Sequence, residues 1–224
     1  MKLFYDLHVH TNYSYDGFID AKKVGEYANK IGLNGVAITD HEAFDGFKVA
    51  RDNNKYKNIE IIPGEEVKSE LGDILCLCIK REIVSRRFID IIDEVVEQNG
   101  LIILPHPYKY HDPIIFSYMN SFHGVESING RADDYSENLK EEVKNYTNLV
   151  KTGGSDAHLP WELGNVVTQI EVLEKYNNYS FCEIIKNGKV RPVRRKKLNF
   201  FYAKTAYTLS KVKKMFHGGK CVKI

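Results

Sequence analysis

Two histidines near the start of the sequence, His8 and His10 in DLHVHT, have a spacing typical of metal ligands. In an extended strand, side chains two residues apart point to the same side, so both imidazoles can bind one cation at about 2.0–2.2 Å. Two histidines that are merely hydrogen-bonded on a half-buried strand have the same spacing. The pair alone leaves both interpretations open, and the rest of the chain favours ligation.

A second polar pair, Asp40 and His41, directly follows the apolar run VAIT. A carboxylate beside a ligand histidine often orients the imidazole ring. Asp40 is equally well placed to cap the helix predicted just after it. The two roles are not exclusive.

Further ligand types follow the next apolar runs. The segment PGEEV holds Glu65 and Glu66, and along an extended chain only one of them can face a common site. A glutamate there can bridge two metals, and we expect the other to be exposed to solvent. His106 follows the run IIL between Pro105 and Pro107, a setting more typical of a site than of a surface.

The segment GGSDAH is the second strong signal. Asp156 and His158 again lie two residues apart, and the glycines before them let the backbone bend tightly. Together with the other histidines and carboxylates they make a mixed nitrogen and oxygen donor set. Such a set suits Zn, Mn or Fe.

The elements that must position these residues alternate between strands and helices. Apolar runs and helical periodicity predict strands at 2–10, 35–41, 59–67, 73–79, 101–107, 123–130, 149–158 and 165–173, and helices at 21–31, 44–53, 88–98 and 134–148. This alternation predicts an α/β fold with a mostly parallel sheet or barrel. The carboxyl ends of parallel barrel strands meet at one mouth, so residues spread over 150 positions are expected to converge there.

Composition excludes several classes of protein. The chain has 224 residues, 43% of them hydrophobic, and has no apolar run of the ~18 residues that a membrane span needs. The N-terminal segment turns polar at Asp6, unlike a signal peptide. Cys76 and Cys78 share one face of a predicted strand, and Cys182 lies in a helical run without the context of a nucleophile. We expect structural cysteines and a cytoplasmic location.

The charge is distributed unevenly along the chain. Residues 184–224 contain 13 Lys and Arg and no acidic residue, so the preceding 183 residues carry a net charge of −11. We therefore expect a domain at 1–195 and a basic, helical extension at 196–224. Three roles compete for this tail: docking on the acidic body through Phe201, Leu209, Val212 and Phe216, or contact of the region 186–224 with nucleic acid or with an anionic membrane surface.

Taken together, these residues resemble the PHP (polymerase and histidinol phosphatase) family, in its short stand-alone form. The motif order HxHxxxSxDG, TDH, PGxE, HP, ExxNG and GSDAH is matched from His8 to His158. The resemblance implies a distorted (β/α)7 TIM-like barrel with two or three divalent metals, Mn, Zn or Fe, at its mouth. It also implies hydrolysis of a phosphate ester by a metal-activated hydroxide.

The resemblance also assigns ligands. It implies a first metal bound by His8, His10, Glu66 and Asp156, a second bound by Glu66 and His106, and a third bound by Asp16, His41 and His158. Many members have a further histidine after PGxE, where this chain has Asp73, so the second position holds either a carboxylate ligand or no extra ligand. The other histidines, His111, His123 and His217, are expected to be structural or exposed.

Substrate contacts are expected from the segment VESINGR, where the resemblance points to Glu126, Asn129 and Arg131. The planar guanidinium of Arg131 fits phosphate oxygens, although a surface ion pair with Asp133 or Asp134 is an equal alternative. The expected substrate is a nucleotide, a short oligonucleotide or a small phosphorylated metabolite.

Two other functions compete with this one. The first is a non-catalytic metal-bound PHP module that binds nucleic acid or a protein partner, which the near-complete ligand set disfavours. An amidohydrolase shares the HxH strand, but it usually needs a carboxylated lysine, and no lysine here follows a suitable strand.

Overall fold

The computed structural model describes residues 1–132, 146, 148–171, 181–187, 189–196 and 200–216. The helix predicted at 134–148 and His217 fall largely or wholly outside these residues, as do Asp133 and Asp134. The boundary between a domain at 1–195 and an extension at 196–224 stays a prediction.

Nine strands form one sheet in the order β7-β6-β5-β4-β3-β2-β1-β8-β9. Their bounds are β1 Lys2–Val9, β2 Gly35–Ile38, β3 Glu60–Ser69, β4 Gly72–Leu77, β5 Leu101–Leu104, β6 Gly124–Asn129, β7 Val150–Gly154, β8 Val166–Glu171 and β9 Lys189–Arg194.

The described helices are α1 Val24–Lys30, α2 Asp45–Asn53, α3 Phe88–Glu97, α4 Phe181–Asn187 and α5 Phe200–Phe216, with 3-10 helices at Ala21–Lys23 and Pro113–Ser121. The helices predicted at 21–31, 44–53 and 88–98 are therefore confirmed. None of the helices among the described residues is long and apolar enough to span a membrane. The cytoplasmic location stays a prediction.

The sheet curls until its ends nearly meet. Strands β1, β2, β3, β5, β6, β7 and β9 run in one direction, while β4 and β8 run in the other. Across the junction of β7 and β8, the Thr168 hydroxyl accepts from Gly153 N at 2.9 Å and donates to Gly153 O at 2.8 Å. The expected distorted α/β barrel is confirmed.

The last strand of the sheet was not expected. The sequence predicts no strand after 165–173, yet β9 pairs with β8 along its whole length. Its residues, KVRPVR, lack the apolar pattern of a buried strand and resemble a charged tail. A strand at the end of the sheet tolerates lysine, arginine and proline, and β9 is at the end of the strand order.

Two clusters of apolar side chains hold the fold together. The first packs the strands against α1, α2, α3 and the second 3-10 helix. The second is enclosed by the strands and closed by α4, where the ring of Phe181 lies 4.9 Å from that of Tyr5. Helix α4 therefore plugs one end of the barrel, and the polar residues lie at the other.

Cys76 and Cys78 do not share one strand face, as the sequence analysis expected, and they do not both remain free thiols. Strand β4 ends at Leu77, and Cys78 adopts a left-handed backbone with φ of 61°, so the alternation of faces stops before it. Cys76 therefore packs in the first cluster, while Cys78 packs in the second and forms a disulfide with Cys182 of α4.

Helix α5 packs on the body through a face that its apolar periodicity did not predict. Phe201, Leu209, Val212 and Phe216 are all exposed, at 38–85%. Among the side chains of α5 that the structure describes, those of Ala206 and Ser210 are buried. The docking face therefore consists of small residues, which allow the helix to approach closely.

We predict that the disulfide contributes substantially to stability, because it closes a loop with a sequence separation of 104 residues. Replacing Cys182 by serine should lower the free energy of unfolding by about 2–5 kcal/mol, measured by urea denaturation. Dithiothreitol should destabilise the wild type by a similar amount and leave the variant unchanged. As a control, Cys76→Ala should keep the response to the reductant; a wild type that is indifferent to dithiothreitol would contradict the prediction.

Candidate metal centre

His8 of β1 and His10, which directly follows the strand, face the barrel mouth, and the strand is irregular beside them. The pairing of β1 with β2 shifts register between Asp6 and Val9. Val9 packs in the cluster against the helices, so His8 and His10 on either side of it point inward. Both imidazoles are fully buried, and irregularities of this kind often re-aim side chains at a site.

Glu66 of β3 lies at the centre of four imidazoles. Its carboxylate oxygens lie 3.4 Å from Nε2 of His8, 3.4 Å from Nε2 of His10, 3.0 Å from Nδ1 of His41 and 3.1 Å from Nε2 of His106. Glu66 is 2% exposed. A carboxylate in this position can bridge neighbouring cations.

Two further carboxylates complete the cluster. Asp156 Oδ1 lies 3.7 Å from His8 Nε2 and 3.4 Å from His10 Nε2. Asp16 Oδ2 lies 3.2 Å from His158 Nε2 and 3.6 Å from His41 Nε2. All eight residues that the resemblance assigned as ligands are therefore neighbours.

Three overlapping sets have donor atoms within 4.8 Å of one another and could each hold a metal ion. They are His8, Glu66 and His106; His8, His10 and Asp156; and His10, Asp16, His41 and His158. These sets overlap the three positions that the resemblance implies without reproducing them: the set at the first position lacks Glu66, that at the second also includes His8, and that at the third also includes His10. Asp73 belongs to none of them.

The donor set fits divalent cations. Two ligands about 2.1 Å from one tetrahedral ion lie about 3.4 Å apart, and most of the separations above are close to that value. The Nε2 atoms of His8 and His10, Oδ1 of Asp16 and Nδ1 of His106 are buried without a hydrogen-bond partner. Buried polar atoms normally have a hydrogen-bond partner. A bound cation takes the place of that partner for a nitrogen or oxygen atom that faces the ion.

The electrostatics of the cluster keep its carboxylates charged. Burial alone would lower the pKa of His8, His41 and His106, but neighbouring carboxylates such as Glu66 raise it. A cation that binds there therefore displaces protons. Burial alone would raise the pKa of Glu66 and Asp156, but the neighbouring imidazoles hold the pKa of both carboxyls well below its usual value. Burial, with His158 and His41 nearby, lowers the pKa of His10 to about 3. The carboxylates are therefore charged, and His10 is neutral, which is the form that ligates a metal.

Buried carboxylates also hold the ligands from behind. Glu126 lies 3.3 Å from Nδ1 of His8, and its other oxygen accepts from His106 N at 3.0 Å and from Asn129 Nδ2 at 2.8 Å. A carboxylate in this place fixes the ring orientation of a ligand histidine. Glu126 and Asn129 do not line the cavity described below, whereas Arg131 does.

Asp40 orients a second pair of ligands through Ser14. Its carboxylate accepts from Thr11 N at 2.6 Å, from the Thr11 hydroxyl at 2.7 Å and from the Ser14 hydroxyl at 2.8 Å. The Ser14 oxygen in turn lies 3.2 Å from His10 Nδ1 and accepts from His41 N. Asp40 does not cap α2, whose N-cap residue is Phe44, so of its two expected roles only the orienting one is found.

Six of the eight candidate ligands, all except His8 and His10, line a cavity of about 750 Å³. Asp73 lies in its wall, and burial raises the pKa of this carboxyl. Arg131 also lies there and forms a two-pronged ion pair with Glu162, with both contacts at 2.9 Å. The predicted ion pair with Asp133 or Asp134 lies outside the described residues.

Among the residues that neighbour the cluster, the expectation for Glu65 needs correction, while that for His111 does not. Glu65, expected at the surface, is fully buried on the helix side of β3, where it accepts from Ile83 N and burial raises its pKa to about 8. His111, expected to be structural or exposed, packs its ring 5.6 Å from that of His106 and donates from Nε2 to the Asp73 carbonyl. His111 is therefore a structural neighbour of the site.

Some residues of the site gave little signal in the sequence. Glu162 accepts from the backbone N–H groups of His158 and Leu159 and binds Arg131. Ser14 belongs to the motif HxHxxxSxDG, but the motif alone does not reveal which side chains the serine contacts. Glu162 lies in no motif, so only the fold brings it to the site.

A family model described as the PHP domain matches residues 6–223. This chain therefore belongs to the PHP family, and the resemblance inferred from its motifs is confirmed.

This chain is also similar to individual known proteins. An uncharacterized protein of Methanocaldococcus jannaschii, MJ0417, is 31% identical over 155 residues, which is 62% of this chain and 65% of that protein. A two-domain protein from Bacteroides vulgatus that contains a predicted PHP-like metal-dependent phosphoesterase superposes with a TM-score of 0.71 at 19% identity, over 86% of this chain and 65% of that one. This chain thus spans slightly less than two thirds of each.

A third similar structure is that of a lesion-specific endonuclease, PfuEndoQ, from Pyrococcus furiosus. It superposes with a TM-score of 0.59 at 18% identity, over 84% of this chain and 56% of that one. At these identities the structural matches show the shared fold.

We predict that Asp40 is needed for both stability and ligand geometry. Replacing it by alanine leaves the Thr11 N–H and two hydroxyls without their buried acceptor, so the free energy of unfolding of the chelator-treated protein should fall by about 2–4 kcal/mol. Urea denaturation measures this change, and elemental analysis should show less bound metal. The exposed control Asp45→Ala should cost about 0.5 kcal/mol or less; equal losses in the two variants would refute the prediction.

Proposed function

We propose that this chain is a metal-dependent phosphoesterase that hydrolyses a phosphate ester of a nucleotide, a short oligonucleotide or a small phosphorylated metabolite. The observation that carries the proposal is the buried Glu66 carboxylate among four imidazoles, with Asp16 and Asp156 beside them. Membership in the PHP family supports the same conclusion.

The proposed ligands are those that the three donor sets bring together. Two or three divalent ions, Mn, Zn or Fe, would be held by His8, His10, Asp16, His41, Glu66, His106, Asp156 and His158. Asp73 stays in the cavity wall. The oxygen and nitrogen donors suit these metals.

When bound, divalent cations neutralise the charge of a phosphate ester and lower the pKa of water so that it can attack phosphorus. The chain's own residues supply the framework. Glu126 and Asp40 orient the imidazoles, and the carboxylates keep the cations close together. Arg131 lines the cavity, and Glu162 holds its guanidinium in place. Arg131 is therefore the proposed contact for the oxygen atoms of the substrate.

We predict that Glu66→Gln removes both metal and activity. The variant loses the charge shared by four imidazoles, so the Mn²⁺-loaded protein should hydrolyse p-nitrophenyl phosphate at least about 100-fold more slowly and contain fewer ions by elemental analysis. The exposed control Glu171→Gln should match the wild type in both measurements.

The alternative, a non-catalytic module, makes a different prediction for the same preparation. Such a module would bind metal at full stoichiometry and show no turnover of p-nitrophenyl phosphate, nucleotides or short oligonucleotides. Turnover that persists unchanged in Glu66→Gln would contradict both proposals.

A further inference from the structure

We infer that helix α5 forms one wall of the candidate active site, and that Lys211 and Lys214 bind a second phosphate group of a nucleotide substrate. The inference rests on the proposed function, because it concerns the substrate of that same cavity. It identifies residues of this chain's basic C-terminal region as determinants of specificity.

The first step is that α5 is fixed against the body near the ligands. Lys213 Nζ donates to Ser14 O at 3.1 Å and also contacts Gly17 O. Arg131 donates to the Ser210 hydroxyl at 3.3 Å. Ser14 orients His10 and His41, and Arg131 lies in the cavity wall, so the helix is anchored to residues of the site itself.

The second step is that one face of α5 points into the cavity. Tyr207, Ser210, Lys211 and Lys214 all line the cavity that six of the candidate ligands share. Their spacing, i, i+3, i+4 and i+7, is that of a single helix face. The two lysines therefore share one space with these ligands.

The third step concerns charge. Neither lysine forms an ion pair with a carboxylate among the residues that the structure describes; Lys214 contacts Tyr15, with Nζ 3.4 Å from the hydroxyl and 4.7 Å from the ring centroid. Of the five acidic residues in the same wall, Asp16, Glu66 and Asp156 face the proposed cations, Glu42 pairs with Arg86 at 3.5 Å, and Asp73 lies opposite Lys68 in the pairing of β3 with β4. The lysines thus offer positive charge to an anion that enters the cavity.

The fourth step is the size and lining of the cavity. A volume of about 750 Å³ lies in the range of sites for nucleotide-sized ligands. Three tyrosines, Tyr15, Tyr110 and Tyr207, line it, and aromatic rings beside basic side chains are the combination that binds bases and phosphates of single strands. A base with two phosphates, one at the cations and one at α5, fits these features together.

The experiment compares substrates with one and two phosphates in the Mn²⁺-loaded full chain. The variants are Lys211→Ala, Lys214→Ala and Lys211→Arg, with Lys204→Ala as control because Lys204 is exposed on the same helix outside the cavity. The substrates are p-nitrophenyl phosphate, the 5′-phosphorylated dinucleotide pTpT, and fructose 1,6-bisphosphate, which has two phosphates and no base.

Each alanine variant should raise KM for pTpT about tenfold, as expected for the loss of one charge-assisted contact, and change KM for p-nitrophenyl phosphate less than twofold. Lys211→Arg and Lys204→Ala should resemble the wild type. Equal effects of an alanine substitution on KM for pTpT and for p-nitrophenyl phosphate, or no effect on either KM, would overturn the inference. Equal lysine dependence for fructose 1,6-bisphosphate and pTpT would overturn its nucleotide part.

Binding without turnover separates this inference from the proposed function. Calorimetric titration of pTpT into chelator-treated protein should give a Kd about tenfold weaker in Lys211→Ala than in the wild type or Lys204→Ala, with a difference that shrinks as salt is added. If the loaded wild type turns over none of the substrates while this difference persists, the proposed function fails and the phosphate site stands. A Kd that is unchanged in Lys211→Ala overturns the inference whatever the activity.

Discussion

The arrangement of the whole barrel mouth follows from one constraint, the burial of the Glu66 carboxylate. An ionised carboxylate away from water is costly unless charged or hydrogen-bonding partners surround it. Here the partners are four imidazoles, one from β1 and three from the segments that follow β1, β2 and β5. Each imidazole needs a fixed orientation, so a second layer of buried acids, Glu126 and Asp40, lies behind them. A site of this kind is a set of linked electrostatic requirements, in which few residues can change alone.

That constraint also explains where the backbone departs from regular geometry. His106 and Asp156 both have positive φ, 28° and 52°, a conformation that non-glycine residues rarely adopt and that concentrates at functional sites. Gly154 allows β7 to approach β1, because a Cβ there would lie 2.5 Å from the Cβ of His8 and 2.4 Å from a carboxylate oxygen of Glu126. The strain is local, and it lies beside two register shifts in the sheet, one between β1 and β2 and one between β6 and β7.

The sequence predicted much of this because ligand types at strand ends are a local pattern. Histidines and acids directly follow the apolar runs, and the carboxyl ends of parallel barrel strands meet at one mouth. These two facts were enough to predict that the residues converge. The sequence could not predict the features that depend on which other elements cover each face of a strand. Glu65 alternates away from Glu66 as expected, but the outer face of β3 is covered by the helix layer and not by water, so both glutamates are buried. The Cys78–Cys182 pair depends in the same way on α4 closing the barrel, which no local pattern reveals.

Helix α5 shows the same limit most clearly. Hydrophobic periodicity identifies a docking face only when apolar burial drives the docking. Here the buried positions among the described side chains of the helix are Ala206 and Ser210, and the anchoring contacts are polar, from Lys213 and Arg131. The uneven distribution of charge along the sequence explains the docking of α5 better than its apolar pattern does. The body carries a net charge of −11, and several of its acids face the barrel mouth. A basic helix is therefore attracted to the mouth of an acidic barrel, and once cations compensate the acids, its lysines are left to attract an anionic ligand.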